Sequence, residues 1–227
     1  EIDCSLITES DLRLTARDAR RLQPVIPAAD LLRDTGGWVA GAMLLAQGAG
    51  RGRTDPQVTV RLNRLIRSAV LGQLPPQERA FLSQTAILPT VSPGDARALV
   101  GEEAEALLHS VRRRVLPLVQ VTDDAIICRR PLREVLLADL SLDGEELIDQ
   151  LSTRYLEYLQ AVGRTREAIE WCVAAGDRWG AVHVVERTVA GLPNRIPTQE
   201  QITEWLQMIG PETALGSDTI AGAAIRR

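Results

Sequence analysis

The sequence predicts a mainly α-helical protein with one small β-hairpin. Apolar residues recur at helical spacing along most of the 227 residues, and the β-rich runs are confined to one pair around a turn. Aromatic residues make up only 3% of the chain, so the cores must consist mainly of Leu, Val, Ile and Ala, as in helical bundles. The pattern divides into a helical subdomain (1–54), a winged-helix domain (55–140) and an arm of αα-hairpins (141–227).

The first part is predicted to hold three short helices. Thr15-Ala-Arg-Asp18 fits a capping box that starts a helix through Leu22. A second helix begins at Ala28, after two prolines that break the first. The Gly36-Gly37 turn, where positive φ carries no steric cost, leads into a third helix over Val39–Gln47.

Small residues in the third helix predict close approach to a neighbouring element. They are Ala40, Gly41, Ala42 and Ala46.

Two further segments of the first part are not helical in pattern. Residues 48–56 have the composition of a flexible linker. Residues 12–14 suggest the end of a short strand.

The second part begins with helices that each have one apolar face. The first face is predicted to bury Val58, Leu62, Leu65, Ile66, Ala69 and Val70, with Arg61, Arg64 and Arg67 on the other side. Pro76 starts the next helix, which is predicted to bury Phe81, Leu82, Thr85 and Ala86. Ser92-Pro-Gly-Asp95 resembles a capping box. A fourth helix, from Glu102 to about Val115, is predicted to bury Ala104, Leu107, Leu108, Val111 and Val115.

A hairpin and a further helix complete the second part. Leu118–Val121 and Ala125–Cys128 are β-rich runs on either side of a Thr-Asp-Asp turn, which predicts a hairpin. A short helix then starts at Pro131 and carries Leu132, Val135, Leu136 and Leu140. Several helices followed by a hairpin is the element order of a winged-helix domain.

The third part is predicted to be helical throughout. The successive buried faces are Leu147, Ile148, Leu151, Tyr155, Leu159 and Val162; Ala168, Ile169, Cys172 and Ala175; Trp179, Val182, Val185 and Val189; and Ile202, Trp205, Leu206 and Ile209. Gly163 and Gly176 end two helices, and Thr198-Gln-Glu-Gln201 caps the last. Short helices that end at glycine suggest stacked αα-hairpins.

Composition excludes several functions. All 26 basic residues are arginine, so a Walker A lysine and a Schiff-base lysine are both missing from this chain, and we expect no enzymatic activity of its own. A net charge of −4 argues against a dedicated nucleic-acid binder. Three widely spaced cysteines and the lack of a long apolar run predict a cytoplasmic protein with no membrane contact, and the initial Glu1 suggests an excised fragment.

Five motifs in register resemble one family. They are Leu12-Arg-Leu-Thr15 with Asp18-Ala-Arg-Arg-Leu22, Leu31–Gly41 (containing T-G-G-W-V), Leu74–Leu88 (beginning L-P-P), Arg129-Arg-Pro-Leu132 to Leu137, and Glu167-Ala-Ile-Glu170 with Ala174-Ala-Gly-Asp177. Together they resemble the middle of the MalT-like, LuxR-type ATP-dependent transcriptional regulators of the STAND class of signalling ATPases.

The resemblance implies a regulatory role without turnover. Residues 1–54 would be a helical lid subdomain, and residues 141–227 a helical arm that starts a TPR-like solenoid. The nucleotide-binding domain would lie upstream of this chain and a sensor domain downstream, and DNA would be bound by a domain outside it. In such ATPases the winged helix folds over bound ADP and holds an inactive monomer, whereas ATP and an inducer release it to self-associate. ATP or ADP with Mg²⁺ would belong to the parent protein. The nucleotide-contacting residues implied here are Gly37, Trp38, Val39 and Arg130.

Three departures from the family pattern bear on that site. Val39 replaces a proline, which keeps an apolar contact but loses the fixed φ. Arg130 replaces a histidine; it could contact phosphate bidentately or simply point to solvent. Arg133 replaces a phenylalanine, so this helix has diverged.

Other polar residues have structural interpretations as well. We expect His109 at the surface and His183 partly buried, and neither is expected to be catalytic. The acids Glu102, Glu103, Glu105, Glu145 and Glu146 are predicted to complement helix N-termini rather than form a catalytic pair. Arg112-Arg-Arg114 and Arg129-Arg130 flank the hairpin; they could touch phosphates or form a solvated helix end. Two alternative functions therefore stay open: a stand-alone winged-helix DNA-binding protein and a helical protein-interaction adaptor.

Overall fold

The computed structural model describes residues 13–22, 27–48, 56–142, 144–190 and 198–210. It confirms a mainly helical protein with one small antiparallel sheet. Contacts divide the chain into two compact units, Glu1–Leu151 and Ser152–Arg227. Cys4, residues 49–55 of the predicted linker and the last seventeen residues lie outside the described ranges. Arg13 and Leu14, which were predicted to end a strand, are described but do not belong to a strand.

The helices of the first unit lie close to their predicted positions. They are α1 (Ala16–Arg21), α2 (Ala28–Thr35), α3 (Val39–Gly48), α4 (Pro56–Ala69), α5 (Pro76–Thr85), α6 (Pro93–Val100), α7 (Ala104–Arg113), α8 (Arg130–Leu142) and the first part of α9 (Glu145–Ala161). A 3₁₀ turn at Leu71–Gln73 joins α4 to α5.

The capping boxes predicted within this unit are present. At the start of α6, the Ser92 hydroxyl accepts the backbone N–H of Asp95 at 3.3 Å, and the Asp95 carboxylate accepts the backbone N–H of Ser92 at 3.1 Å. Thr15 and Asp18 make the same reciprocal pair at the start of α1. Each box satisfies backbone donors that a helix N-terminus leaves without intrahelical partners.

Helices α1, α2 and α3 share a small core of their own. Ala19, Leu31 and Ala42 are completely buried in it, and Leu14, Leu22, Ala28, Leu32 and Leu45 pack around them. Helix α2 also packs on α8, and α3 on α4. These contacts join the helical segment 27–48 to the rest of the first unit.

Helices α4 to α8 form the winged-helix core. Val58, Leu62 and Ile66 are buried on α4, whereas Ala69, which was predicted to be buried, is exposed at the end of that helix. Phe81, Leu82, Thr85 and Ala86 are buried as predicted, and so are Leu132, Val135, Leu136 and Leu140 of α8. Helix α5 contacts α6, α7 and α8, so it lies at the centre of this packing.

The predicted hairpin is confirmed and gains a third strand. Strands β2 (Val119–Val121) and β3 (Ile126–Cys128) pair antiparallel, with Val119 opposite Cys128. Strand β1 (Thr90–Val91) pairs with the other edge of β3, which gives the order β1-β3-β2. The sequence analysis missed β1 because two residues are too short to show an alternating pattern.

The boundaries of α7 were predicted wrongly. The helix runs from Ala104 to Arg113, two residues inside the expected bounds at each end. Arg114 is already extended, with φ −86° and ψ 138°, so Val115 lies in a loop and is 65% exposed rather than buried.

The second unit holds the rest of α9, α10 (Thr165–Ala174), α11 (Arg178–Ala190) and α12 (Gln199–Ile209). Helix α10 packs on both α11 and α12. The Tyr155 and Trp171 rings meet edge to face with centroids 5.0 Å apart, and Arg166 forms ion pairs with Glu170 and Glu204. Gly163 and Gly176 end helices with φ of 75° and 79°, and the Thr198–Gln201 capping box is present.

Several burial predictions in the second unit were wrong. Val162 and Ala175 follow the last residues of their helices and are exposed. Trp179 is 55% exposed because α11 buries Ala181, Val182, Val184 and Val185, and Trp179 lies on the opposite side of that helix. His183 is also exposed, and its Nδ1 lies 3.0 Å from the Glu186 carboxylate.

The two cysteines that the structure describes are buried core residues. Burial raises the pKa of the Cys128 thiol from 9.0 to about 12, and it also raises the pKa of Cys172. Both thiols therefore behave as small apolar groups. Within the described ranges, no helix has both the length and the apolar composition needed to cross a lipid bilayer.

Candidate functional site

A cavity of about 460 Å³ lies in the first unit, between the helical segment 27–48 and residues 115–129, which contain β2 and β3 and are called the wing below. One wall comes from the turn between α2 and α3 and from the first residues of α3. The opposite wall comes from the loop before β2, from β2 itself and from Arg129. The lining is mainly apolar, and the volume falls in the range of small-molecule sites.

The glycine turn brings the first wall close to the chain before α1. Gly36 and Gly37 have φ of 59° and 83°, a region that residues with side chains rarely adopt. The Leu14 backbone N–H donates to the Gly37 carbonyl at 2.8 Å. A Cβ on Gly37 would lie 3.1 Å from the Leu14 carbonyl oxygen, so this close approach requires glycine.

Trp38 lines the cavity, and its ring lies against Gly41 one helical turn later. A Cβ on Gly41 would lie 2.6 Å from Cε3 of Trp38. The missing side chain at Gly41 therefore makes room for a ring of its own helix, and not only for a neighbouring element as predicted. Of the other small residues, Ala42 is fully buried and Ala40 is exposed.

The second wall includes a residue with an unusual backbone. Among the described non-glycine residues, Leu118 alone has a positive φ, 67°. It is buried and lines the cavity together with Pro117 and Val115. A leucine in this region costs roughly 1–3 kcal/mol, so the surrounding contacts must hold it there.

A buried carboxylate anchors the start of this loop. Glu78 of α5 is 5% exposed, and its Oε1 accepts a hydrogen bond from the Ser110 hydroxyl at 2.7 Å. Its Oε2 forms an ion pair with Nε of Arg114 at 2.6 Å, close but not aligned as a hydrogen bond. Glu78 thus fixes the chain where α7 gives way to the cavity wall.

Arg129 bridges the two walls. Its Nη2 donates to Oε1 of Gln120 in β2 at 2.5 Å, and its Nη1 donates to the carbonyl of Arg33 in the last turn of α2 at 3.3 Å. Its backbone N–H donates to the Leu118 carbonyl at 2.8 Å. The Nε atom is buried, without a hydrogen-bond partner, close to Gly36.

Three of the four residues predicted to contact nucleotide line this cavity: Gly37, Trp38 and Val39. Arg130 is not among the lining residues; its Nε pairs with Oε1 of Glu134 at 2.7 Å, and its side chain is 75% exposed. The contact with Glu134 raises the pKa of Arg130. Contact of these residues with a nucleotide stays a prediction.

The sequence analysis named Arg129 only among the arginines that flank the hairpin and assigned the nucleotide contact to its neighbour Arg130. The family motif drew attention to Arg130 because that position aligns with the family histidine. The signal that could have identified Arg129 is its place directly after β3, where strand alternation sets it on the same side as Ile127 rather than with buried Ile126 and Cys128.

The other arginines near the wing mostly have intramolecular partners. Nη2 of Arg112 donates to the backbone carbonyls of Thr122 and Asp123, at 2.9 and 2.6 Å, and so holds the hairpin turn. Arg133, at the family phenylalanine position, donates to the carbonyls of Ala86 and Ile87 at the end of α5. Helix ends commonly use basic side chains in this way. Arg112 and Arg114 therefore form specific internal contacts, unlike a simple solvated helix end.

The remaining candidates lie at the surface. His109 is exposed as predicted, and so are Glu102, Glu103 and Glu105 near the start of α7. Glu146 is exposed in the first turn of α9, and the side chain of Glu145 lies outside the described set.

Comparison with known proteins identifies the fold around the cavity. Residues 67–148 match the family model of the MalT winged helix domain. The match covers the wing and helices α5 to α8, but only the last three residues of α4, and it confirms the winged-helix prediction. It also contains the second wall of the cavity, with Leu118, Gln120 and Arg129.

Curated relatives extend the similarity beyond the wing. The chain is 29% identical over 184 residues to the serine/threonine-protein kinase PknK of Mycobacterium tuberculosis H37Rv, and equally to its counterpart in Mycobacterium bovis. The alignment covers 75% of this chain but only 16% of each kinase. The chain therefore corresponds to about a sixth of the relatives' length.

Proposed function

We propose that this chain is the regulatory segment of a MalT-like, LuxR-type signalling ATPase that controls transcription. In this proposal it switches between an ADP-bound inactive state and a state released by ATP and an inducer. The observation that carries the proposal is the cavity itself: a wing matching the MalT winged helix domain forms one wall, and the T-G-G-W-V turn forms the other.

The cavity chemistry suits part of a nucleotide. Mainly apolar walls around Trp38 and Val39 fit a flat base, and no lysine is present to reach the terminal phosphates. The upstream nucleotide-binding domain of the parent protein would therefore hold the phosphates and Mg²⁺. Arg130 would have to leave Glu134 to reach a phosphate, whereas Gly37, Trp38 and Val39 already face the cavity.

The remaining parts of the parent protein complete the switch. The second unit would lead into a downstream sensor domain that detects the inducer. Release of the winged helix would allow self-association, and DNA would be bound by a domain outside this chain. The chain itself would change position and contacts without catalysing a reaction.

The similarity to PknK favours a second candidate. The same kind of segment would then regulate a protein kinase rather than a transcription factor, and the nucleotide switch would control phosphorylation. The full-length gene product distinguishes the two, because only one of them phosphorylates a protein substrate.

The test is nucleotide binding by the full-length protein that contains this chain. Titration with fluorescent ADP should give saturable binding, and Trp38→Ala should weaken it at least tenfold because the ring forms part of the cavity wall. Trp179→Ala is the matched control; it removes an exposed tryptophan of the second unit and should leave the affinity within twofold. Full-length protein that binds neither ADP nor ATP, or equal losses in the two variants, would contradict the proposal.

A further inference from the structure

We propose that Arg129 is a positioning residue that couples the helical segment 27–48 to the wing and so determines whether the cavity is closed. Its side-chain hydrogen bonds to Arg33 and Gln120 are called the Arg129 bridge below. As a contact the bridge stands on the geometry alone; its role in regulation rests on the proposed function.

Arg129 lies where three elements meet. It follows the last residue of β3 and precedes the first residue of α8, so its backbone belongs to the wing. Its side chain reaches 96 residues back along the chain to the Arg33 carbonyl, in the last turn of α2. A movement of the wing relative to α2 must therefore break or rebuild this contact.

The acceptor on α2 suits a guanidinium. The last carbonyls of an α-helix have no intrahelical donors, and the helix dipole places partial negative charge there. A cation at that end of α2 stabilises the helix and holds it against β2 at the same time. Gln120 completes the bridge from the wing, because its side-chain oxygen accepts from the other arm of the same guanidinium.

The backbone of Arg129 also supports the strained wall of the cavity. Its N–H donates to the carbonyl of Leu118, the residue with φ 67°. Strained residues persist where neighbouring contacts over-determine them, and they cluster at switch regions. One residue thus holds the wing-side wall through its main chain and the opposite wall through its side chain.

The Arg129 bridge leaves one buried donor of the guanidinium, Nε, without a hydrogen-bond partner. This Nε lies close to the glycine turn, because a Cβ on Gly36 would be 3.4 Å from it. A buried donor with no partner opposes the closed arrangement, so the other two nitrogens hold the contact against that cost. A contact balanced in this way suits a segment that must open.

Amide hydrogen exchange on the 227-residue chain tests the bridge without nucleotide. Arg129→Ala should speed exchange about tenfold at the amides of Gly36, Trp38 and Ala42, because local exchange reports the opening of the segment. Arg130→Ala is the matched control: it removes the neighbouring arginine, whose side chain pairs with Glu134, and should change those rates less than twofold. Amides of α5 should keep their rates in both variants.

Two further variants guard against a simple loss of folding. Gln120→Ala removes only the wing-side acceptor and should speed the same amides in the same direction. Arg129→Lys supplies a single donor group, which cannot span both acceptors, and should give an intermediate rate. Unchanged rates in Arg129→Ala, equal changes in Arg130→Ala, or faster exchange spread evenly through α5 and α8 would each overturn the proposal.

A second readout separates the bridge from the proposed function. In the full-length protein, Arg129→Ala should speed release of bound fluorescent ADP several-fold, because the cavity opens more often. If the full-length protein binds no ADP while the exchange result holds, the proposed function fails and the bridge stands. If ADP binds but neither exchange nor release responds to Arg129→Ala, the bridge fails and the proposed function stands.

Discussion

Gly41 shows how a missing side chain can shape a site. The Trp38 ring occupies the space where a Cβ would lie, only 2.6 Å from Cε3. Gly41 is the third residue of α3, and a glycine within a helix costs up to about 1 kcal/mol relative to alanine. Glycine therefore lowers the helix propensity at this position but leaves room for the ring.

We therefore predict that Gly41→Ala displaces Trp38 and gains little or no stability. The helix-propensity gain of about 1 kcal/mol is opposed by about 1–3 kcal/mol of overpacking unless the ring moves. The measurements are the free energy of unfolding and the NMR shift of the Trp38 indole N–H. Ala40→Ser, on the exposed side of the same helix, should leave that shift in place. An unchanged indole shift with a full 1 kcal/mol of added stability would contradict the packing.

At the scale of residues, the sequence predicted which residues line the cavity better than it predicted which residues contact one another. Gly37, Trp38 and Val39 were identified from a short motif, because a double-glycine turn and a following tryptophan are local features. Arg129 was ranked below Arg130 because the family motif singled out Arg130; the fold shows that Arg129 reaches Arg33 and that Arg130 pairs with Glu134.

At the scale of elements, the structure confirms the helix starts that the capping boxes predicted. Ser92 and Asp95 make their reciprocal bonds at the start of α6, directly after β1, and Asp95 is 4% exposed. The box therefore fixes the point where the sheet edge gives way to a helix of the winged-helix core.

We predict that Ser92→Ala lowers the free energy of unfolding by about 1 kcal/mol. The substitution removes the hydroxyl that accepts the Asp95 N–H, and N-cap losses of this kind typically have that size. Urea denaturation of the 227-residue chain measures it. Ser141→Ala is the control, because its hydroxyl bonds back to Leu137 at the exposed end of α8 and should matter by less than about 0.5 kcal/mol. Equal effects of the two substitutions would show that the box contributes nothing.

Helix boundaries were predicted well where a capping motif agreed with the helical spacing of apolar residues. They were predicted poorly where only the apolar spacing was available. Both ends of α7 were wrong because no cap marks them, so the apolar pattern extended the helix to Val115. Trp179 was assigned to a buried face for the same reason. Strand β1 could not be predicted, because a two-residue strand is defined by its partner β3 and not by its own sequence.

At the scale of the whole molecule, long-range contacts limit what sequence can show. The cavity joins Trp38 to Leu118 and Gln120, residues about 80 positions apart, and no local pattern relates them. The family resemblance implied one nucleotide site shared by the turn at Gly37 and the helix at Arg130, but the Arg129 bridge and the strain at Leu118 emerge only when the chain is folded.

Charge at this scale favours a winged helix that contacts protein over one that binds DNA. The wing tip carries Asp123 and Asp124, both exposed, and the chain has a net charge of −4. The nearby arginines Arg112 and Arg114 are committed to the hairpin turn and to Glu78. An acidic tip repels the phosphates that a DNA-binding wing would contact, which favours the protein-contact role.

We accordingly predict that the 227-residue chain binds duplex DNA only weakly. A fluorescence-anisotropy titration at about 50 mM salt should show no saturation below about 10 μM, because phosphate contacts supply most of the affinity of non-specific binding. The double variant Asp123→Asn with Asp124→Asn tests the cause: removing the repulsion should raise the affinity measurably, but without a steep dependence on salt, since few phosphates are neutralised. Tight binding by the unmodified chain that falls steeply between 50 and 200 mM salt would instead identify a stand-alone DNA-binding winged helix.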